Sequence, residues 1–235
     1  MLGLVALASA TFITVLTECV AAGLLPSISS DLGISASLVG QLTTAYALGS
    51  LLTAIPMVKL TSHLQRRPLL MAALLGFALA NSTMTWTDSY SLMLASRFVG
   101  GIAAGLLWSL VAGYASRMVV PEQQGRAISV VMVGIPLAMT IGIPAGTWLA
   151  QHVGWRWVFG LMSLLSVALV AWSRITLPQV AGVTAQQSGT LRKVLKRPGL
   201  IAVYAVMLFA VLAHNTLYTY IAPFAALSGS QGSLD

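Results

Sequence analysis

The sequence predicts an all-α polytopic membrane protein, and three observations favour that class. Of the 235 residues, 57% are hydrophobic, and only 7% carry a formal charge. Soluble domains carry charge on about a quarter of their residues, so this composition excludes a soluble enzyme, a nucleic-acid-binding domain and a disordered tail. The apolar runs are also long and continuous rather than alternating, which favours spanning helices over the strands of a barrel.

Seven apolar segments reach the length of a spanning helix, for which about 20 residues are needed. The first segment stays apolar up to Pro26 and has no basic residue before it, so we interpret it as a spanning helix rather than a cleaved signal peptide. Short connections rich in Ser, Asp, Gly and Pro separate most segments, so we expect consecutive spans to be antiparallel neighbours. The predicted spans are Leu2–Ile28, Leu38–Val58, Leu69–Trp86, Ser91–Gly113, Ala127–Ala150, Trp155–Trp172 and Leu200–Ile221.

The basic residues predict the orientation, because cytoplasmic loops are enriched in Lys and Arg. Ten of the 12 basic residues flank alternate connections, which must share one side of the membrane. The opposite side contains Arg156 together with Asp31 and Asp88. We therefore predict a multi-pass protein of the cell (inner) membrane with a cytoplasmic N-terminus, whose net charge of +7 reflects topology and not a nucleic-acid partner. The ten residues are Lys59, Arg66, Arg67, Arg117, Arg126, Arg174, Arg192, Lys193, Lys196 and Arg197.

The longest polar stretch divides the chain into three predicted parts. These are a six-span unit over 1–173, a basic cytoplasmic linker over 174–199, and a seventh span with its tail over 200–235. Within the linker, an amphipathic segment over 191–197 should end at Pro198. Two interpretations stay open for it: a helix on the inner membrane surface that binds anionic lipid, or an ordinary positive-inside anchor.

Ten different short motifs follow one another along the chain. Each is weak alone, and their order and spacing together are specific. They are Thr17-Glu18, Gly23-Leu24-Leu25-Pro26, Asp31-Leu32-Gly33, Arg66-Arg67-Pro68, Arg97-Phe98-Val99-Gly100-Gly101, Pro121-Glu122, Gly125-Arg126-Ala127, Gly142-Ile143-Pro144-Ala145-Gly146, Gly154-Trp155-Arg156 with Phe159, and Leu217-Tyr218-Thr219-Tyr220-Ile221-Ala222-Pro223.

These motifs resemble the N-terminal half of a major facilitator superfamily transporter, and most closely the arabinose-efflux-like branch of drug and sugar efflux proton antiporters. The resemblance covers about residues 10–226. It implies two six-helix halves, each built from inverted three-helix repeats, so that this chain contains one half-bundle and the first helix of the second half. One departure lies before Arg66 and Arg67, where the family usually has an acidic residue and this chain has Thr61 or Ser62.

Three ionisable residues lie inside predicted spans, where a charged group is costly and often functional. Glu18, Arg97 and His214 each lie about 9–12 Å from the outer end of their span, at a rise of about 1.5 Å per residue. Tyr46 lies at a similar depth in span 2. These four polar side chains are therefore predicted to share one layer in the outer half of the membrane.

Our hypothesis for that layer is a proton-coupling site. Glu18 would bind and release the proton, and the position of Arg97 would decide which form of the carboxyl group is populated. The resemblance supports both positions, since an arginine at this point of span 4 is common in the family and is tied to proton coupling. The structural alternatives are a helix-end anchor or fixed ion pair for Arg97, a static polar partner for Glu18, and an interhelical hydrogen bond for His214.

Small residues and prolines concentrate in spans 4 and 5. Glycines four residues apart let helices approach closely, and prolines free backbone carbonyls and bend a helix. Two interpretations are simple helix packing and a hinge that closes the outer side of a cavity. The hinge interpretation predicts that Gly146→Leu blocks transport while leaving insertion intact. The residues are Gly101, Gly105, Pro136, Gly142, Pro144 and Gly146.

The remaining candidates describe an apolar cavity wall with aromatic and hydroxyl groups. Such a wall suits amphiphilic or weakly polar small molecules and argues against highly charged ones, which need more fixed counter-charge. The sequence contains no zinc-ligand spacing, phosphate-binding loop or nucleophile–base pair, so we predict no enzyme activity and no cofactor or metal. The expected partners are a small-molecule substrate, protons and membrane lipid. The cavity candidates are Tyr46, Thr43, Trp108, His214, Asn215 and Tyr218.

The sequence therefore favours a secondary active transporter, proton-coupled and exporting small organic molecules such as drugs, sugars or metabolites. Only one predicted span follows the linker, so we expect the chain to be a truncated form of such a transporter. Two alternatives stay open. One is a non-transport membrane protein or inactive half-transporter, and the other is a half-transporter that acts as a homodimer, with a second copy in place of the second half.

Overall fold

The computed structural model of the chain describes residues 1–182, 199–210 and 212–213. Every regular element in these ranges is helical, which confirms the all-α prediction. Six helical segments are long and apolar enough to cross a membrane, so the protein is an integral membrane protein. The helices are α1 (Leu2–Gly23), α2 (Leu25–Leu32), α3 (Ala36–Thr61), α4 (Arg66–Trp86), α5 (Tyr90–Ser116), α6 (Gln124–Met132), α7 (Gly134–Leu137), α8 (Ile143–Val153), α9 (Trp155–Thr176) and α10 (Leu200–Ala210).

The chain forms two compact units, Met1–Thr184 and Ala185–Asp235. The first unit contains α1–α9, which we call the half-bundle. The second contains α10, which covers the first part of the predicted seventh span. The rest of that span, apart from residues 212–213, and the amphipathic segment predicted over 191–197 lie outside the described residues.

The first predicted span is broken, contrary to the prediction of one helix over Leu2–Ile28. α1 ends at Gly23, and α2 begins at Leu25. The reason is Pro26, whose ring is tolerated in the first turn of a helix but clashes with the preceding turn in a helix interior. The outer end of span 1 therefore becomes a separate short helix.

The fifth span is longer and less regular than predicted. It is one helical segment over Pro121–Val153, which starts with a 3₁₀ turn before α6. Between α7 and α8 it widens into a π-helical turn over Ala138–Gly142, which lies between Pro136 and Pro144. Proline lacks the N–H of a regular helical hydrogen bond, and a π turn is one way in which a helix accommodates such an interruption.

Helix α1 is the centre of the half-bundle. It is the most enclosed of the six spans, since 67% of the residues in its 18-residue apolar stretch are buried within the protein itself. It contacts each of the helices from α2 to α9. Around it, α3 packs along α5, and α4 lies against both α5 and α9. A side chain on α4 or α5 that points inward therefore meets the backbone of α1.

Helices α3 and α5 cross almost backbone to backbone. A Cβ atom on Gly101 would overlap the carbonyl group of Tyr46, and one on Gly49 would overlap the carbonyl oxygen of Phe98. Gly105 faces α3 in the same way, at Thr53. The glycine spacing predicted from Gly101 and Gly105 therefore serves helix packing at this crossing.

One polar cluster closes the end of the half-bundle at which α9 begins. Arg156 pairs with Asp31 at 3.2 Å and with Asp88 at 2.6 Å. Its other terminal nitrogen donates to the carbonyl of Thr87 at 2.7 Å, and its guanidinium lies 4.5 Å from the ring centroid of Trp155. The three charged residues predicted on the side opposite the basic loops thus lie together and join α2, α9 and the α4–α5 connection.

The opposite end is fastened by arginines that bind backbone carbonyls. Arg66 and Arg67 are predicted as loop residues, but they begin α4, and Arg66 is only 8% exposed. Arg66 donates to the carbonyl of Ser62 at 3.1 Å, so a backbone oxygen takes the place of the acidic partner that this loop lacks. Three side chains hold the segment after α9 by donating to its backbone carbonyls. The bonds are Arg67 to Leu177 at 3.3 Å, Arg117 to Ala181 at 2.9 Å and Tyr114 to Pro178 at 2.6 Å.

Substitution of Gly101 tests the crossing of α3 and α5. We expect Gly101→Val to lower the free energy of unfolding by about 1–3 kcal/mol or more, because the added side chain meets the backbone of Tyr46. Gly113→Ala on the same helix is the matched control, since its Cβ has no neighbour within 4 Å. That change should be neutral or stabilise by up to about 1 kcal/mol. Denaturation in detergent measures both, and equal stability of Gly101→Val and wild type would contradict the crossing.

Candidate functional site

Arg97 is a charged side chain enclosed in the middle of the half-bundle. It lies on α5 and is 1% exposed, which makes it the largest fully buried side chain of the described residues. Removing an ionised group from water costs several kcal/mol unless other polar groups bind it. Its surroundings must therefore compensate the charge.

The backbone of α1 supplies the compensation. One terminal nitrogen of Arg97 donates to the carbonyl of Thr17 at 2.7 Å, and the other donates to the carbonyl of Glu18 at 3.3 Å. A helical carbonyl has a second lone pair beside the one used within its helix, so α1 accepts these bonds without unwinding. The guanidinium group thereby ties α5 to α1.

Tyr46 completes the environment of Arg97 from α3. The guanidinium carbon lies 4.6 Å from the centroid of the Tyr46 ring, within the range of a cation–π interaction. The hydroxyl of Tyr46 donates to the carbonyl of Thr14 at 3.2 Å. Tyr46 is fully buried. The structure therefore places this predicted cavity residue beneath Arg97 and not on a surface that a solute reaches.

Glu18 lies beside Arg97 without being locked to it. Its residue is partly buried, in the same turn of α1 that binds the guanidinium. Among the described residues, the ion pairs within 4 Å are those of Arg156. Arg97 therefore contacts the backbone of Glu18, and the fixed ion pair that was one alternative is not formed in this structure.

Asn81 is a member of this site that the sequence analysis missed. It lies on α4, is fully buried, and donates from its amide nitrogen to the hydroxyl of Thr17 at 3.2 Å. Thr17 therefore accepts a hydrogen bond from Arg97 at its backbone carbonyl and one from Asn81 at its hydroxyl. The available signal was an uncharged amide within an apolar span, since polar side chains there commonly bond neighbouring helices.

The other predicted cavity residues fall into two groups. Thr43 and Trp108 are partly buried side chains on α3 and α5. His214, Asn215 and Tyr218 lie outside the described residues. The layer predicted from Glu18, Arg97, Tyr46 and His214 therefore has its first three members together, with Thr17 and Asn81 added.

The predicted hinge residues of the fifth segment face α1. A Cβ on Gly142 would lie 3.0 Å from the ring of Phe12, and one on Gly146 would lie 3.2 Å from Val20. In the same segment, Pro136 lies before the π turn and Pro144 lies after it. Helix α1 is therefore approached closely by a segment whose helical hydrogen bonding is interrupted.

Two grooves at the surface of the half-bundle lie away from Arg97 and Glu18. One has a volume of about 460 Å³ and lies between α4 and α9 beside the edge-on pair Trp86 and Trp157. The other has a volume of about 220 Å³ and lies at the end that contains the N-terminus. Both are mainly apolar, as expected for surfaces that face lipid.

Six apolar spans that enclose a buried arginine define a polytopic membrane protein with an internal polar site. The chain belongs to the Major Facilitator Superfamily, which it matches over residues 7–233. Members of this family are transporters and not enzymes. The superfamily prediction is confirmed, and the narrower efflux branch stays a prediction.

Solved transporters share the fold at low sequence identity. The proton:xylose symporter XylE bound to 6-bromo-6-deoxy-D-glucose has a TM-score of 0.68 at 16% identity, over 76% of this chain and 44% of that one. Inward-open XylE from E. coli has a TM-score of 0.66 at 16% identity, over 99% and 57%. A peptide transporter POT in complex with alafosfalin has a TM-score of 0.69 at 18% identity, over 96% and 49%. This chain thus spans about half the length of these structures.

Two substitutions of Tyr46 separate its two contacts. Tyr46→Phe keeps the ring beneath Arg97 and removes the bond to Thr14, so it should lower the free energy of unfolding by about 0.5–1.5 kcal/mol. Tyr46→Leu also removes the aromatic face and should cost about 2 kcal/mol more, because the cation is desolvated. Denaturant titration in detergent measures the difference. Equal losses for the two variants would show that the ring does not stabilise Arg97.

Proposed function

We propose that this chain is part of a secondary active transporter that couples proton movement to the efflux of small organic molecules. Membership of the Major Facilitator Superfamily supports transport. The observation that supports coupling is Arg97, a fully buried cation bonded to α1 at Thr17 and Glu18. Ionisable residues within membrane spans commonly belong to proton or substrate pathways.

In this proposal Glu18 is the proton carrier and Arg97 is its switch. Glu18 has a partly exposed position, whereas Arg97 is enclosed, so a proton arriving from a cavity reaches the carboxyl group first. The bonds of Arg97 end on carbonyl oxygens of α1. A shift of α1 along α5 would therefore change the distance between the guanidinium and the Glu18 carboxylate, and with it the form of the carboxyl group that is populated.

The distribution of basic residues supports an orientation in the membrane. We place the arginine-rich end, with Arg66 and Arg117, at the cytoplasmic face of the cell (inner) membrane, and the cluster around Arg156 outside. The partly buried Thr43 and Trp108 are the candidate contacts for a weakly polar substrate. The related structures are about twice as long as this chain, so we propose that a second six-helix half, or a second copy of this chain in its place, completes the substrate cavity.

Neutralising Glu18 tests the coupling. We expect Glu18→Gln, in the full chain reconstituted into vesicles with an imposed pH gradient, to reduce gradient-driven accumulation of ethidium to the level of empty vesicles. An amide cannot bind and release a proton at this position, which is the reason for the loss. Glu122→Gln is the matched control, because Glu122 is an exposed residue of the turn before α6. It should keep the wild-type rate.

The same assay separates the proposal from its alternatives. Unchanged gradient-driven transport by Glu18→Gln would overturn the role of Glu18. A wild-type chain that transports nothing and is monomeric in detergent would favour the inactive half-transporter. A chain that transports and has twice the monomer mass would favour the homodimer.

A second prediction concerns the approach of α8 to α1. We expect Gly146→Leu to abolish transport without lowering the amount of protein in the membrane fraction, since the larger side chain meets Val20 and Val158. Gly146→Ala should retain part of the activity, because only the Cβ, at 3.2 Å from Val20, is crowded. Full activity of Gly146→Leu would show that this contact does not move or close during transport.

A further inference from the structure

We infer that Asn81 and Arg97 hold a bound water molecule inside the half-bundle, and that Asn81 is a positioning residue for Arg97. Two unpartnered polar atoms carry this inference, and they belong to side chains on different helices that are bonded to the same residue of α1. The role of Asn81 in transport rests on the proposed function, whereas the water site does not.

The first atom is the amide oxygen of Asn81. This side chain is fully buried, and its nitrogen is occupied by the hydroxyl of Thr17. Its oxygen has no hydrogen-bond partner within the described part of the chain. Leaving a buried acceptor without a partner costs about 1–3 kcal/mol.

The second atom is the Nε of Arg97. The two terminal nitrogens of this side chain are bonded to α1, but its Nε–H has no partner among the described residues and is fully enclosed. It is part of a charged group, so its unpaired donor is the more costly of the two. Buried polar atoms in folded proteins are nearly always bonded to protein or to ordered water.

The two side chains that carry these atoms are both bonded to Thr17. Arg97 binds the carbonyl of Thr17 at 2.7 Å, and Asn81 binds its hydroxyl at 3.2 Å. One of two side chains held at the same residue of α1 therefore has an unpaired donor, and the other has an unpaired acceptor. Water fits this pair because it accepts from Nε–H and donates to the amide oxygen, and internal waters typically have two to four such partners.

The orientation of the amide does not change the conclusion. If the nitrogen and oxygen of Asn81 are exchanged, the oxygen accepts from the Thr17 hydroxyl, and the nitrogen becomes the unpartnered atom. A water molecule would then accept from Asn81 and from Arg97 through its two lone pairs. In either arrangement, one amide atom and Nε remain to be bonded.

The position of this water gives Asn81 its role. Arg97 reaches α1 directly and would reach α4 through the water, so three helices share one polar centre. Any movement of Arg97 relative to Glu18 would then have to break or follow the link to α4. Asn81 would therefore set the position from which Arg97 acts on the carboxyl group without contacting that group itself.

Radiolytic hydroxyl-radical labelling in ¹⁸O-water tests the water site, because bound water is converted to radicals that oxidise neighbouring side chains. Tyr46 is the reporter, since it is fully buried and its ring lies 4.6 Å from the guanidinium carbon. Phe77, fully buried on α4, is the reference. We expect ¹⁸O labelling of Tyr46 well above that of Phe77 in the wild-type chain. Equal, background labelling of both would overturn the site, and this measurement needs no variant that must fold.

Two variants of α4 test the part played by Asn81. Asn81→Leu keeps the branched skeleton of the side chain but replaces both polar amide atoms with larger methyl groups, so we expect at least a several-fold loss of Tyr46 labelling. Thr83→Val is the matched control, because the Thr83 hydroxyl bonds only the carbonyl of Leu79 in its own helix. It should label as the wild type does. Undiminished labelling in a folded Asn81→Leu protein would overturn the assignment of Asn81.

The pH profile of gradient-driven ethidium transport tests the positioning role separately. We expect Asn81→Leu to shift the midpoint of that profile, and Thr83→Val to leave it in place. A midpoint unchanged in Asn81→Leu would overturn the link between Asn81 and coupling. If the wild type shows no proton-driven transport, the proposed function fails, while the labelling of Tyr46 still decides whether the water site exists.

Discussion

The buried charge of Arg97 is the constraint on which the half-bundle depends. A guanidinium enclosed by apolar helices is strongly destabilising unless several groups bind it. The acceptors here are the carbonyls of Thr17 and Glu18, aided by the face of Tyr46. These carbonyls belong to a helix, so their second lone pairs are reachable only at direct contact. The charge therefore requires α1 to lie against α5, and it accounts for α1 being the most enclosed span and the one that the other helices of the half-bundle touch.

Close approach of the helix backbones makes this contact possible. Gly49 and Gly101 let α3 and α5 meet without side chains between them, which brings Tyr46 beneath Arg97. Gly134 and Gly142 let the fifth segment approach α1 from another side. Hydrogen bonds tolerate only a few tenths of an ångström of displacement. A larger side chain at one of these crossings would therefore disturb the site of Arg97 even without touching it.

The sequence predicted the positions of the helices better than the breaks within them and the hydrogen bonds between them. Hydropathy identifies spans because each must satisfy its own backbone in lipid, and Arg97 and Glu18 stand out because charges in such runs are rare. Asn81 was missed, since an uncharged amide barely changes the hydropathy of α4 and its partner lies 64 residues away in the chain. The break at Pro26 and the π turn after Leu137 depend on local hydrogen bonding, which composition over a window of 20 residues averages out.

The two ends of the half-bundle are fastened by different chemistry, and the difference bears on how a gradient can act. Where α9 begins, Arg156 pairs with carboxylates of Asp31 and Asp88, which are 49% and 88% exposed. Such exposed pairs weaken with salt. At the opposite end, arginines such as Arg66 bind carbonyl oxygens, which do not titrate. Among the described residues, the arginine–carboxylate pairs therefore lie at the end of the half-bundle toward which α1 carries Glu18, and in the proposed transporter that end is where coupling would begin.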